Sequence, residues 1–331
     1  MYEYRCFRMR FPLLTSSGMS FDRRCVMGVG TGNAAARNHG HVQEGRIQVT
    51  GGKIWYKMTG LDKPGIPLLT VHGGPGASHD YLEPLEKLAD ERPVIFYDQL
   101  DCGNSDKPDR KEFWTLERYA DEIHQLRLAL KIEKMYILGQ SWGAAIAFEY
   151  ALKHRENTAG LILSGPLLSA ARWEADQRTW LTGLSAARQT AIREAETSGN
   201  FEAASYQDAM MEYYRRHVCR LNPWPDCLNR SFSNLNFHLY QYMWGPSEFT
   251  ITGTLKHYDR VGRLKDITVP VLFTCGAYDE AVPETVRDYR KQIPCSELHV
   301  FEGASHAHHL EKTDEYLSVV RGFLSRADQV G

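Results

Sequence analysis

The chain has 331 residues, 43% hydrophobic and 24% charged, which excludes a disordered or fibrous protein and suits one large domain or two small ones. With 39 basic and 41 acidic side chains the net charge is −2, so no positive excess is available to displace counterions from nucleic acid or to hold an anionic membrane. No window approaches 18 uninterrupted apolar residues, and no transmembrane helix is expected.

The first 43 residues carry six Arg, no Lys and two acids, Glu3 and Asp22, without helical or strand periodicity. They read as a disordered extension, with an organelle transit peptide or a mis-assigned start as alternatives. From residue 45 the pattern becomes regular. Residues 46–50 and 53–59 alternate as two strands around Gly51-Gly52, a hairpin signal. Apolar strands are expected at 68–71, 94–97, 135–138 and 161–163, with helices at 78–89, 115–130 and 142–153 between them. Thr115 stands before the second of these helices as its cap. Continuous apolar strands alternating with helices predict an α/β fold, with a mostly parallel sheet covered by helices on both faces.

After Gly165-Pro166 the rhythm breaks. Residues 167–262 read as helices rich in Trp, Tyr, Arg and Glu, interrupted at Asn222-Pro223-Trp224-Pro225. Strands resume at 269–275 and 297–301, with helices near 284–292 and 313–326. The expected organisation is a core of 44–166 and 263–331 with an inserted helical cap over 167–262. The seven cysteines (6, 25, 102, 219, 227, 275 and 295) are odd in number and never spaced as Cys-x-x-Cys. They predict reduced thiols in a cytoplasmic protein rather than a disulfide framework or a zinc cage.

Gly139-Gln140-Ser141-Trp142-Gly143 fits G-x-S-x-G between a strand and a helix, the context in which that motif presents a nucleophile. A serine hydroxyl needs a base, and the base an orienting acid. The acid is expected after a late strand, where Asp279 follows 271–275; Asp259 and Asp266 precede that strand. The base is expected after the next strand, where His306, His308 and His309 stand close together. His306 comes first after the Gly-containing loop and is the expected base. A metal cluster is not expected from these three, because no spaced carboxylates or thiolates accompany them. His124, His154, His217, His238 and His257 read as packing or surface residues. His72-Gly73-Gly74-Pro75-Gly76 follows the strand at 68–71, and the N–H groups of Gly74 and Trp142 are the expected oxyanion hole.

Together these residues resemble the α/β-hydrolases, and more narrowly the proline iminopeptidase family. The resemblance rests on HGGPG (72–76), FYDQ (96–99), GQSWG (139–143), GPSEFTITGT (245–254), GAYDE (276–280) and GASH (303–306), in one order over about residues 44–326. It implies release of an N-terminal residue, typically proline, from short peptides or amino-acid amides, without cofactor or metal. It also implies that Glu248 in the cap and Glu280 beside Asp279 hold the free amine of the substrate. The chain departs from the family at Asp101, where Gly is usual, at Asn104, commonly Arg, and at Ala144, which replaces a second Gly. An esterase or other small-molecule hydrolase is the alternative enzyme, and a ligand receptor on a hydrolase fold the non-enzymatic one. Ser141 excludes the aspartate-nucleophile dehalogenases and epoxide hydrolases.

Overall fold

A computed structural model describes residues 37–39 and 42–329. Residues 1–36, and the disorder and transit-peptide readings attached to them, lie outside the described residues. The expected hairpin forms, with β2 (Val42–Val49) antiparallel to β3 (Gly52–Thr59). A short strand β1 (Arg37–His39) pairs outside it. Among the described residues the sheet therefore begins at residue 37, inside the stretch assigned above to the extension. A three-residue edge ladder is made by backbone groups and needs no apolar alternation, so the sequence carries no sign of it. Among the described residues, removing 1–43 takes away β1 and the start of β2. A chain beginning at Glu44 should keep its activity and lose no more than about 4 °C of thermal midpoint. Loss of turnover in that chain would show that the edge supports the site.

The remaining strands are β4 (Leu68–Val71), β5 (Val94–Tyr97), β6 (Met135–Gln140), β7 (Thr158–Ser164), β8 (Val271–Gly276) and β9 (Ser296–Phe301). Their order is β1-β2-β3-β5-β4-β6-β7-β8-β9, parallel from β5 onward. Alternate strand residues face opposite layers. Leu69, Ile95, Ile137, Leu161 and Phe273 pack with α1 (Leu116–Ala129), α2 (Trp142–Lys153) and α8 (Pro283–Lys291). Leu68, Phe96, Leu138, Ile162 and Leu272 pack with α10 (Thr313–Asp328) and the segment His79–Asp90. That segment is a 3₁₀ helix rather than the expected α-helix. It contains Pro84, whose ring and missing N–H oppose α-helical bonding to the preceding turn. Thr115 caps α1 as expected, its Oγ1 accepting from the Arg118 N–H at 3.3 Å.

The chain runs from β4 outward to β5, then returns to the other side of β4 for β6. Connections diverge there, and the loops after β4 and β6 leave the carboxyl ends of adjacent strands, where open α/β sheets bind ligands. Between β7 and β8 stands the inserted cap of α3 (Ala170–Leu181), α4 (Ala186–Ser198), α5 (Ala204–His217), α6 (Asp226–Ser233) and α7 (Phe237–Met243). Its two ends meet at a β-bridge between Ser169 and Asp259, where Ser169 Oγ donates to Asp259 Oδ2 at 2.9 Å. No helix among the described residues is long and apolar enough to cross a membrane. Cys102, Cys219, Cys227, Cys275 and Cys295 are free thiols.

Candidate active site

Ser141 occupies the turn between β6 and α2 at φ 58°, ψ −120°, a backbone that a β-substituted residue adopts at a cost of about 1–3 kcal/mol. Its neighbours have to be Gly for α2 to start so close to the sheet. A Cβ on Gly139 would lie 2.3 Å from the Gly143 carbonyl oxygen, and one on Gly143 would lie 2.1 Å from that of Val71. The Ser141 N–H donates to the Ser164 carbonyl at 2.9 Å, and its own carbonyl accepts from the Leu167 N–H. Between these two anchors sits Gly165, where a Cβ would lie 2.7 Å from His306 Nδ1. The end of β7 thus brings the Ser141 turn and the His306 ring to one place.

Asp279 and His306, on the loops after β8 and β9, meet directly, with Nδ1 and Oδ1 2.7 Å apart. Asp279 also accepts from the N–H groups of Gly276 at 3.0 Å and Ala281 at 2.9 Å. His308 lies beside it, its Nδ1 3.3 Å from Oδ2 and its Nε2 within 3.0 Å of the Ser164 and Thr274 hydroxyls. His309 turns away and bonds the Tyr81 carbonyl at 3.1 Å. Two of the three clustered histidines therefore face Asp279, and the third does not.

The loop after β4 is fastened from two sides. The Tyr81 hydroxyl accepts from the Gly73 N–H at 2.6 Å and donates to Gln140 Oε1 at 2.7 Å. Gln99 donates to the His72 carbonyl at 2.7 Å and accepts from Trp142 Nε1 at 3.2 Å, linking this loop to the residue after Ser141. Gly74 holds a φ of 112°. Among the described residues neither its N–H nor that of Trp142 has an acceptor in the protein.

The cap closes the site with aromatic and acidic groups. Trp173 on α3 stands edge-on to His306, with ring centroids 5.6 Å apart, and donates to the Glu248 carbonyl at 3.1 Å. The half-buried Glu248 accepts from the Tyr240 hydroxyl at 2.8 Å. Glu280 is fully buried, 3.9 Å from His306 Nε2, and its oxygens have no well-formed hydrogen bond. Among the described residues neither carboxylate is paired with Lys or Arg.

Burial and mutual repulsion set the charges. Desolvation raises Glu280 well above the usual carboxylate range, and the neighbouring Glu248 and Asp279 raise it further. Desolvation also raises Glu248, against relief from Tyr240 and His306. Burial would raise Asp279 as well, but His306 and His308 outweigh it and hold that carboxyl well below its ordinary value. Burial lowers His306, yet Asp279 more than compensates and the imidazole ends above its ordinary value. Asp279 therefore stays ionised, whereas a negative charge on Glu280 is disfavoured until a cation comes to it.

Residues 66–313 match the alpha/beta hydrolase fold family. A proline iminopeptidase of Heyndrickxia coagulans is 41% identical over 283 residues, covering 85% of this chain and 98% of that protein. The chain belongs to the proline iminopeptidase family. A crystal structure of the Mycobacterium smegmatis proline iminopeptidase is similar at a TM-score of 0.80 with 35% identity, covering 87% of this chain and 99% of that one. The crystal structure of VinJ is similar at 0.83 with 31% identity, over 86% of this chain and 98% of that one.

The departures from the family pattern fall outside this cluster. Asp101 holds φ 69°, where Gly is favoured and Asp is among the better-tolerated substitutes. Its carboxylate accepts from the Asp109 N–H at 2.8 Å and from Trp114 Nε1 at 2.9 Å, while its carbonyl accepts from Asn236 of the cap. The side chain thus ties together two segments of the core, while the contact with the cap is made by the main-chain carbonyl. The Asn104 N–H donates to Asp98 Oδ2 at 2.8 Å, and Ala144 is fully buried in α2.

Sequence reasoning missed Tyr240, which donates to Glu248, and Gln177, Trp180 and Tyr213, which stand at the Asp279 loop; His217, read as a packing or surface residue, is buried against Trp180. A usable signal was present. Trp173, Gln177 and Trp180 recur at helical spacing along one face of α3, as do Tyr213 and His217 along α5.

Proposed function

We propose that this proline iminopeptidase family member is a serine hydrolase that releases an N-terminal residue, proline first among them, from short peptides or amino-acid amides. Ser141 Oγ attacks the carbonyl carbon of the terminal residue while His306 takes its proton, and Asp279 orients the ring and stabilises the imidazolium. The N–H groups of Gly74 and Trp142 receive the charge that develops on the carbonyl oxygen. Collapse breaks the C–N bond, and His306 returns the proton to the leaving amine. Water then attacks the Ser141 ester, with His306 taking its proton and giving one back to Ser141.

The observation that carries this reading is the pair Glu248 and Glu280, two carboxylates at the site that, among the described residues, no Lys or Arg pairs with. A protonated N-terminal proline is a secondary ammonium with two N–H donors, one for each carboxylate. An esterase acting on uncharged acyl groups has no use for that arrangement. A panel of prolyl arylamide, other aminoacyl amides, N-acylated prolyl amide and p-nitrophenyl esters tests the assignment. Equal kcat/KM on free and N-acylated substrates would falsify it and leave a general esterase.

The pH profile is a second expected result. His306 acts only when neutral, and its pKa is raised, so activity should fall as pH drops through a value above about 6.5. The substrate amine must be charged, so kcat/KM on free-amine substrates should also decline above about 8. An uncharged ester should show the acid limb alone. An alkaline limb of the same position on the ester would assign that limb to the enzyme instead of the amine.

A further inference from the structure

Three consecutive carbonyls, those of Tyr278, Asp279 and Glu280, each accept a hydrogen bond from a side chain of the cap. His217 Nδ1 reaches Tyr278, Trp180 Nε1 reaches Asp279 and Gln177 Nε2 reaches Glu280, each at 2.9 Å. The donors are themselves held in place. The Tyr213 hydroxyl donates to Gln177 Oε1 and so fixes which end of the amide faces the loop. The rings of Trp180 and His217 stack at 4.5 Å. A carbonyl only accepts, so His217 carries its proton on Nδ1, and burial keeps the ring neutral, with its pKa pushed down to about 4.

A second seam joins the same part of the cap to the His306 loop. The His306 N–H donates to the His217 carbonyl at 2.9 Å and the Ala307 N–H to that of Val218 at 2.8 Å. Glu311 closes it, accepting from the Ser305 N–H, the Ser305 hydroxyl and the Arg220 N–H. His217 touches both loops, one through its ring and the other through its main chain.

We infer that His217, Trp180 and Gln177 are positioning residues, through which the seated cap holds the Asp279 and His306 loops in register with Ser141. Apolar packing alone could seat a cap anywhere over the sheet. Here its polar groups are spent on the carbonyls of the acid and its two neighbours, and on the N–H of the base. The cap is therefore part of the proton relay's frame, and a cap that lifts away takes that frame with it. The inference rests on the reaction proposed above.

The test is a set of single replacements assayed on prolyl arylamide and on an uncharged p-nitrophenyl ester. Trp180→Phe keeps an aromatic ring and removes the N–H; His217→Leu removes the donor; His217→Asn restores a donor near the place of Nδ1. Misplacement of reacting groups by about 1 Å can cost about 100-fold, so kcat should fall roughly 10- to 100-fold in Trp180→Phe and His217→Leu. KM should stay within about two-fold, and the loss should be alike on both substrates, because the frame serves the chemistry and not the amine. His217→Asn should recover most of it.

The acid limb of kcat should move to lower pH as Asp279 supports His306 less, with Glu248, Glu280, Glu311 and His309 still acting on that ring and His308 sharing Asp279 with it. A purely structural role would lower the melting temperature and leave kcat and the limb where they were, which overturns the inference. So does a loss confined to the amine substrate. If His217→Leu does not fold, Trp180→Phe decides alone. Ser141→Ala is assayed alongside: turnover retained there defeats the proposed reaction, whereas turnover lost there with kcat unmoved in Trp180→Phe defeats only the positioning role.

Discussion

Replacing Ser141 by Ala should lower kcat by a factor on the order of 10⁴–10⁶ while the protein stays folded, since members of a triad act as a unit. The hydroxyl carries no core area, and the backbone of residue 141 is anchored by Ser164 and Leu167 whatever its side chain. His306→Ala should cost a comparable amount. His309→Ala should cost far less, because that ring bonds the Tyr81 carbonyl and not Asp279. His308→Ala belongs between them, its ring lying 3.3 Å from Asp279. Steady-state kinetics with circular dichroism as the folding check is sufficient. A folded Ser141→Ala enzyme that kept more than about one-tenth of kcat would exclude an acyl-enzyme on this residue.

Glu248→Gln should separate charged from uncharged substrates. An ammonium held between Glu248 and Glu280 is partly desolvated, and removing one partner of such a pair costs about 2–5 kcal/mol. That corresponds to a loss of roughly 30- to several-thousand-fold in kcat/KM on a free-amine substrate. Hydrolysis of an uncharged ester should scarcely change. Acylating the substrate amine should weaken the wild-type enzyme similarly, and the two changes should not multiply, because each removes the same interaction. Multiplicative losses would mean that Glu248 acts elsewhere, through its bond with Tyr240 for example.

The parts of this site that could be read from sequence are those in which one residue type is forced by backbone geometry. Gly139 and Gly143 have no alternative where carbonyl oxygens lie within 2.3 Å of a notional Cβ, so the turn around Ser141 is visible as a motif. The positions of the central strands along the chain are likewise readable from apolar runs. What was hidden has a common cause. The cap donors act through side chain to main chain contacts, and a carbonyl acceptor has no residue type to betray it. Gln177 could serve Glu280 from any helix that reached that loop. The edge strand Arg37–His39 was hidden for the same reason, as its ladder is made of main-chain groups. The Glu248–Glu280 pair came only from family resemblance, since 32 residues separate two carboxylates that nothing local connects.

The bridge at Ser169 and Asp259 gives the insertion a narrow stem, because its two ends are paired with each other there. Such a stem makes the cap transplantable in principle, since a foreign insertion would need only to span the same gap. With the carbonyls of residues 278–280 left without donors, however, a chimaera could fold and bind yet turn over slowly. Exchange of caps between relatives would then succeed as engineering only when the donor triplet travels with the graft, and swapping pocket residues inside the existing cap becomes the safer route to a new substrate range.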